Sequence, residues 1–317
     1  MHTDIDKARG MLFGLAIGDA FGKPVEFLSL AGIMERYGAS GITELPEPAL
    51  YTDDTQMTLA LAEALATSGE RDIDTLMEAV SLEFVKWLNS PENDRAPGRT
   101  CISGVRAMEG GAHWSKAGAV RSKGCGSAMR VAPVGYLYQH DETRLREAAD
   151  ATGLCTHAHP AAVAACAAAA WMVKLALDGV GPGDMIDRMM EFTEGVSEEF
   201  DRAMNQARNC LDWEDETRAL KSIGEGWTGE EAVALATWCY VRYPDDYPRM
   251  ILRAANTNGD SDSVACIAGA ACGARLGIRG IPGDWARRIE NADMIENLAT
   301  RLARKKAEWF PAPGRGR

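Results

Sequence analysis

Two segments place oxygen-bearing side chains at a spacing suited to metal chemistry. Tyr51-Thr52-Asp53-Asp54-Thr55-Gln56-Met57 sets two adjacent carboxylates between hydroxyls, just ahead of an apolar helical pattern. Helix capping accounts for one or two of these residues, because Asp and Thr satisfy the orphan N–H groups of a first turn and acids suit its positive end. A hydroxyl, two acids and a second hydroxyl exceed that need, and hard divalent cations such as Mg²⁺ and Mn²⁺ take such ligands. Asn256-Thr257-Asn258-Gly259-Asp260-Ser261-Asp262-Ser263 repeats the theme with D-x-D and a hydroxyl before a second apolar helix. It is not an EF-hand loop, which needs an acid at its twelfth position. Four carboxylates brought together repel severely unless cations neutralise them, so a shared metal site is the economical reading.

Three further segments are weaker. Gly14 to Phe27 carries Asp19 and Glu26 in a run of small residues. Alone, it reads more readily as a helix ending at Gly22, with Asp19 bonding locally and Glu26 at the surface. Lys123-Gly124-Cys125-Gly126-Ser127-Ala128-Met129-Arg130 lets backbone approach a ligand, and its N–H groups suit phosphate oxygens. It lacks the Lys-[Ser/Thr] ending of a P-loop. Thr156-His157-Ala158-His159-Pro160 offers H-x-H; with no further His or Cys nearby, a positioned cleft histidine fits better than a zinc half-site.

The elements that must hold these residues are helical. Apolar stripes predict helices over Thr55 to Thr67, stopped by Gly69; Leu76 to Leu88, with Leu76, Val80, Phe84 and Leu88 at i, i+4; Ala161 to Leu177, entered through Pro160; Ala232 to Val241; Val264 to Leu276; and Ala292 to Trp309. Thr228 and Glu231 have capping-box spacing. No alternating apolar run reaches strand length, no solenoid repeat occurs, and no low-complexity linker divides the chain. The pattern predicts one all-α domain over residues 1–310, with a frayed Pro/Gly/Arg-rich tail at 311–317.

Composition bounds the partners. The 317 residues carry 34 basic and 46 acidic side chains, a net charge of −12, and 46% apolar residues. Such a balance disfavours nucleic acid and an anionic membrane as partners, and leaves a small anion held by backbone and metal possible. No C-x-x-C pair joins the eight cysteines, and no basic-then-apolar leader opens the chain, so reduced thiols in a cytoplasmic protein are expected. Ala161 to Leu177 reads as too short and too weakly apolar for a membrane span.

Taken together and in order, Gly18-Asp19-Ala20 with Gly22, Pro24 and Glu26, then Thr52-Asp53-Asp54-Thr55, Gly126-Ser127-Ala128-Met129-Arg130, His157 with His159-Pro160, and Gly259-Asp260-Ser261-Asp262 resemble the ADP-ribosylglycohydrolase family. The resemblance runs from about Gly14 to Gly277. It implies an orthogonal all-α bundle holding two divalent cations, Mg²⁺ or Mn²⁺, with Thr52, Asp53, Asp54, Asp260, Asp262 and Ser263 as ligands. It implies ADP-ribose as ligand, contacted by Asp19, His157 and the loop of Gly124, Cys125, Gly126, Ser127 and Met129. A monomer is the expected state.

The implied activity is removal of ADP-ribose from modified protein side chains at ribose C1″, arginine-linked above all. Glu26, Asp54 or Asp94 would transfer the proton. Alternatives are a hydrolase of a small ADP-ribose conjugate or other N-glycoside, and a non-catalytic ADP-ribose binder. Two departures stand out: Ser263 replaces the family's usual Thr, keeping the hydroxyl. Ala96 stands where the branch that removes ADP-ribose from arginine in nitrogenase regulation carries Asp; Asp94, two residues earlier, either substitutes from a shifted position or is simply solvated.

Overall fold

A computed structural model describes residues 3–68 and 72–311. The Gly69 stop and residues 312–317 of the expected tail lie outside them. In chain order the helices are α1 (Asp4–Gly22), α2 (Leu30–Tyr37), α3 (Asp53–Thr67), α4 (Ile73–Leu88), α5 (Arg99–Glu109), α6 (Trp114–Ala117), α7 (Ala132–Leu137), α8 (Glu142–Leu154), α9 (Pro160–Leu177), α10 (Pro182–Phe192), α11 (Glu198–Asn209), α12 (Glu216–Ile223), α13 (Gly229–Arg242), α14 (Tyr247–Ala255), α15 (Ser261–Leu276), α16 (Gly283–Arg288) and α17 (Ala292–Trp309). Among the described residues strand pairing is limited to isolated bridges, so the all-α expectation holds.

At the centre, α1 and α15 run antiparallel with their backbones in contact. The cause is a glycine every fourth residue of α1, which places all four on one helical face. A Cβ at Gly10 would lie 2.1 Å from the Gly273 carbonyl oxygen; at Gly14, 2.4 Å from that of Gly269; at Gly18, 2.2 Å from that of Ala265; and at Gly22, 2.2 Å from Asp262 Cα. No side chain fits at such distances, so the ladder fixes both separation and register. The register sets the C-terminal end of α1 beside the first turn of α15.

The apolar stripes are buried as their spacing requires. Met57, Leu61, Ala64 and Leu65 of α3 are inaccessible, as are Leu76, Val80 and Phe84 of α4, while Leu88 is half-buried and Trp87 takes its place. In α9, Pro160 occupies the first turn and the His159 ring accepts the Ala161 N–H, so His159 is a helix cap and not half of a zinc site.

Three expectations change. Helix α3 begins at Asp53 and α15 at Ser261, two and three residues before their apolar stripes, so Asp53, Asp54, Asp262 and Ser263 lie inside first turns. Thr228 makes no capping bond to α13; Glu231 turns back instead to accept the N–H groups of Glu225 and Gly226. Finally, α9 has 18 residues of mean hydropathy 1.7, long and apolar enough to cross a bilayer by those measures alone. Its burial among the other helices makes it a core element.

Candidate active site

The ends of three helices converge: the C-terminus of α1 and the N-termini of α3 and α15. Asp19, in the last turn of α1, is fully buried and ties α3 down. Its carboxylate accepts the Thr52 N–H (2.9 and 3.0 Å), the Thr55 N–H (3.0 Å) and the Thr55 hydroxyl (2.6 Å). Thr52 Oγ1 accepts the Asp54 N–H. Asp19 and Thr52 thereby do the capping, which frees the Asp53 and Asp54 carboxylates for other work. At α15 the cap residue Asp260 makes no side-chain capping bond either. Helix capping therefore leaves these acids unexplained.

The freed oxygens face one another and a cleft of about 220 Å³. Ser263 Oγ donates to Asp54 Oδ2 at 2.8 Å, and Cys125 Sγ to Asp260 Oδ2 at 2.9 Å. Asp262 hydrogen-bonds with both Asp260 and Glu26, while its Oδ1 is buried without a partner. Gly98 N–H donates to Asp53 Oδ2 at 3.2 Å. Among the described residues no Lys, Arg or His forms an ion pair with Asp19, Glu26, Asp53, Asp54, Asp260 or Asp262.

Burial and mutual repulsion raise the whole group. Glu26 is pushed up to about 10, by burial first and then by Asp262, Asp260 and Asp53. Burial carries Asp53 to about 8 and Asp19 to about 7. It holds Asp54, Asp260 and Asp262 above the usual carboxylate range, with Asp262 adding to the first two. Such a cluster needs either protons or cations to be stable. As the side chains stand, no three His, Cys, Asp or Glu among the described residues are arranged to hold a metal ion. The donor set itself, carboxylates plus the Ser263 hydroxyl and one orphaned carboxylate oxygen, fits a hard divalent cation.

The opposite wall is the glycine loop. Gly124, Cys125, Gly126 and Met129 line the cleft with His157. Arg130, entirely buried, braces this wall: its guanidinium donates to the Gly126 carbonyl, to Thr152 O at 2.9 Å and to Thr156 Oγ1 at 2.7 Å, over the Phe84 ring. His157 Nδ1 lies 2.8 Å from Thr156 Oγ1. Burial, helped by Arg130, pulls its pKa down to about 3, so the ring is neutral at physiological pH. A Cβ on Gly126 would strike Cys101 Sγ at 2.7 Å and His157 Cε1 at 2.9 Å, which explains the glycine.

Four expected site residues stand outside the cleft lining. Asp19 is spent on α3 and faces no ligand space. Thr52 is buried as the α3 cap. Ser127 is buried, its hydroxyl turned into the protein. Asp94 is exposed to solvent, and Ala96, at a φ of 55°, takes the cleft position instead. The structure therefore does not bring Asp94, Asp19 or the Ser127 side chain into the cleft lining.

Sequence reasoning missed an aromatic pair at the mouth. Phe27 is 66% exposed at a φ of 67°, and its ring stacks on Trp227 with centroids 5.3 Å apart. Its N–H donates to Gly259 O, and Gly259 donates back to Leu28 O, so the pair is tied to the D-x-D loop. Only the adjacency of Phe27 to Glu26 hinted at it.

An all-α scaffold that converges helix ends on an acid-floored, glycine-walled cleft is the class to which fold and site assign this molecule. The chain matches the ADP-ribosylglycohydrolase family over residues 1–312 and belongs to that family of hydrolytic enzymes. It is 29% identical over 291 residues to the ADP-ribosyl-[dinitrogen reductase] glycohydrolase of Rhodospirillum rubrum, covering 90% of each chain. It is 30% identical over 306 residues to the ADP-ribosylarginine hydrolase Tri1 of Pseudomonas putida, covering 94% of this chain and 78% of the relative. A solved ADP-ribosylglycohydrolase-related protein complex contains a chain that superposes with a TM-score of 0.73 at 27% identity, over 96% of this chain and 99% of that one.

Proposed function

We propose that this enzyme hydrolyses the bond between ribose C1″ of ADP-ribose and a protein side chain, with two divalent cations, Mg²⁺ or Mn²⁺, as cofactors. The observation that carries the reading is the set of buried, uncapped and uncompensated carboxylates at the floor of a cleft walled by glycines. Asp53, Asp54, Asp260, Asp262 and Ser263, with Thr52, would hold the cations. When bound, these would polarise a water and the ribose hydroxyls.

The chain's own residues do the rest. The Gly124–Gly126 backbone offers close approach to the diphosphate, and neutral His157 presents its Nε2 side to the same space. Glu26 lies in the cleft hydrogen-bonded to Asp262; protonated, it can give a proton to the leaving atom, and once cations offset the neighbouring acids it would take one from water. A nearby carboxylate also stabilises the oxocarbenium-like state of glycoside cleavage. The names of the relatives support an arginine linkage, whereas Ala96 removes a carboxylate from the cleft wall; a serine linkage is the second reading that Ala96 favours.

Incubation with arginine- and serine-linked ADP-ribosyl proteins in Mg²⁺ or Mn²⁺ tests this. Free ADP-ribose is the expected product from at least one, and Asp260→Ala should abolish it. Undiminished release by Asp260→Ala would overturn the site assignment.

A further inference from the structure

A diphosphate entering the cleft finds little fixed positive charge from the chain itself: five acidic side chains line the space, and His157 is neutral. Among the lining residues one side chain carries a permanent positive charge, Arg99. We propose that Arg99 grips a phosphate of the substrate and so selects diphosphate-bearing ligands. This deepens the ADP-ribose reading above and rests on it.

Placement supports the assignment. Arg99 opens α5, and this first turn packs directly on the glycine wall: the Gly126 site would bring a Cβ against Cys101 Sγ. Thr100 Oγ1 lies 2.9 Å from Ser122 Oγ, just before the same wall. Gly98 N–H, anchored on Asp53 Oδ2, fixes the backbone at the start of the turn. Arg99 thus stands beside the loop whose bare backbone offers the closest approach to phosphate.

Its guanidinium is not committed to an acid among the described residues. Arg9, Arg95, Arg144, Arg146, Arg208 and Arg301 each pair with a carboxylate, as acids outnumber bases 46 to 34. Arg99 is exposed and forms no ion pair among the described residues, and no acid occupies the first turn of α5. A guanidinium matches phosphate geometry with paired N–H donors, which a lysine reproduces only in charge.

Calorimetric titration of the Mg²⁺-loaded protein with ADP-ribose, ADP and ribose tests the proposal. Arg99→Gln should weaken ADP-ribose and ADP by roughly 10- to 100-fold, the range expected for a charge-assisted phosphate contact. The variant should also show a shallower dependence on salt, and Arg99→Lys should recover part of the loss. In turnover the change should appear in KM with kcat preserved. Unaltered unfolding temperatures would exclude a structural cause. If wild type binds ADP-ribose and Arg99→Gln binds it equally, the inference fails while the functional reading stands. A changed preference between arginine- and serine-linked substrates with unchanged ADP-ribose affinity would move Arg99 to the acceptor side and equally overturn it. Failure of the wild type itself to bind ADP-ribose would overturn the functional reading, and this inference with it.

Discussion

Glu26 and Asp19 are seven residues apart and do opposite jobs. Glu26 reaches the cleft, so Glu26→Gln should lower kcat by roughly 10²- to 10⁴-fold, the usual worth of a proton-transfer group, while leaving the fold intact. Removing a carboxyl that burial penalises should leave the metal-free unfolding temperature equal or higher; a large drop would show Glu26 to be structural. Asp19→Ala should do the reverse. It orphans two N–H groups and a hydroxyl at the head of α3, costing about 2–4 kcal/mol in denaturant unfolding, with Asp19→Asn milder. Stability unchanged in Asp19→Ala would contradict the capping role. The acids at 53, 54, 260 and 262 were legible because two helix starts carried more oxygen than capping requires. The role of Asp19 was not, since its partners lie 33 and 36 residues away. Nor did spacing reveal that a loop would expose Asp94 and turn Ala96 into the cleft.

Among the elements, the α1–α15 ladder is the part that makes the site. A methyl at Gly14 would meet the Gly269 carbonyl at 2.4 Å, so Gly14→Ala should destabilise by about 1–3 kcal/mol and shift the start of α15, weakening metal binding with it. Gly183, in the first turn of α10, has nothing within 4 Å of the same methyl, and Gly183→Ala should be neutral or stabilising by about 0.5 kcal/mol. Equal effects of the two changes would refute the ladder. The long helices declared themselves through apolar stripes and Pro160. Their starts were misplaced at α3 and α15 because first-turn acids break the stripe before it begins. Short helices such as α6, α7 and α12, with 4, 6 and 8 residues, carry too few turns to establish a period. The glycine ladder lay in plain view as Gly10, Gly14, Gly18 and Gly22, but its meaning depends on a partner some 250 residues away.

For the whole molecule, the buried acid cluster links stability to pH and, on the proposed function, to metal. Folding raises Asp19 to about 7 and Asp53 to about 8, whereas unfolded carboxylates titrate near 3.8. The stabilisation from holding those protons is full below the unfolded value and is lost as pH rises through the folded ones. His157 acts oppositely: its ring, held near 3 when folded, favours the native state above the unfolded value of 6.5 and loses that advantage as pH falls. From about pH 7.5 to 8.5, a unit or more above the unfolded histidine value, the acids dominate, so in EDTA the unfolding temperature should fall as pH rises there. Saturating Mg²⁺ should flatten that slope, because bound cations replace the protons. A slope identical with and without Mg²⁺ would count against cation binding at the cluster. The net charge of −12 likewise overstates the acidity of the metal-loaded surface, since four of its charges, Asp53, Asp54, Asp260 and Asp262, would be cancelled inside.

The measurement closest to the central claim is the rate of ADP-ribose release from modified protein by metal-stripped enzyme, followed as Mn²⁺ is added back in known equivalents. The account predicts negligible release from the stripped protein and a rate that climbs to a plateau at about two equivalents per chain, with Asp260→Ala flat throughout. Full release from the stripped enzyme, or equal rates in wild type and Asp260→Ala at every Mn²⁺ level, would contradict it.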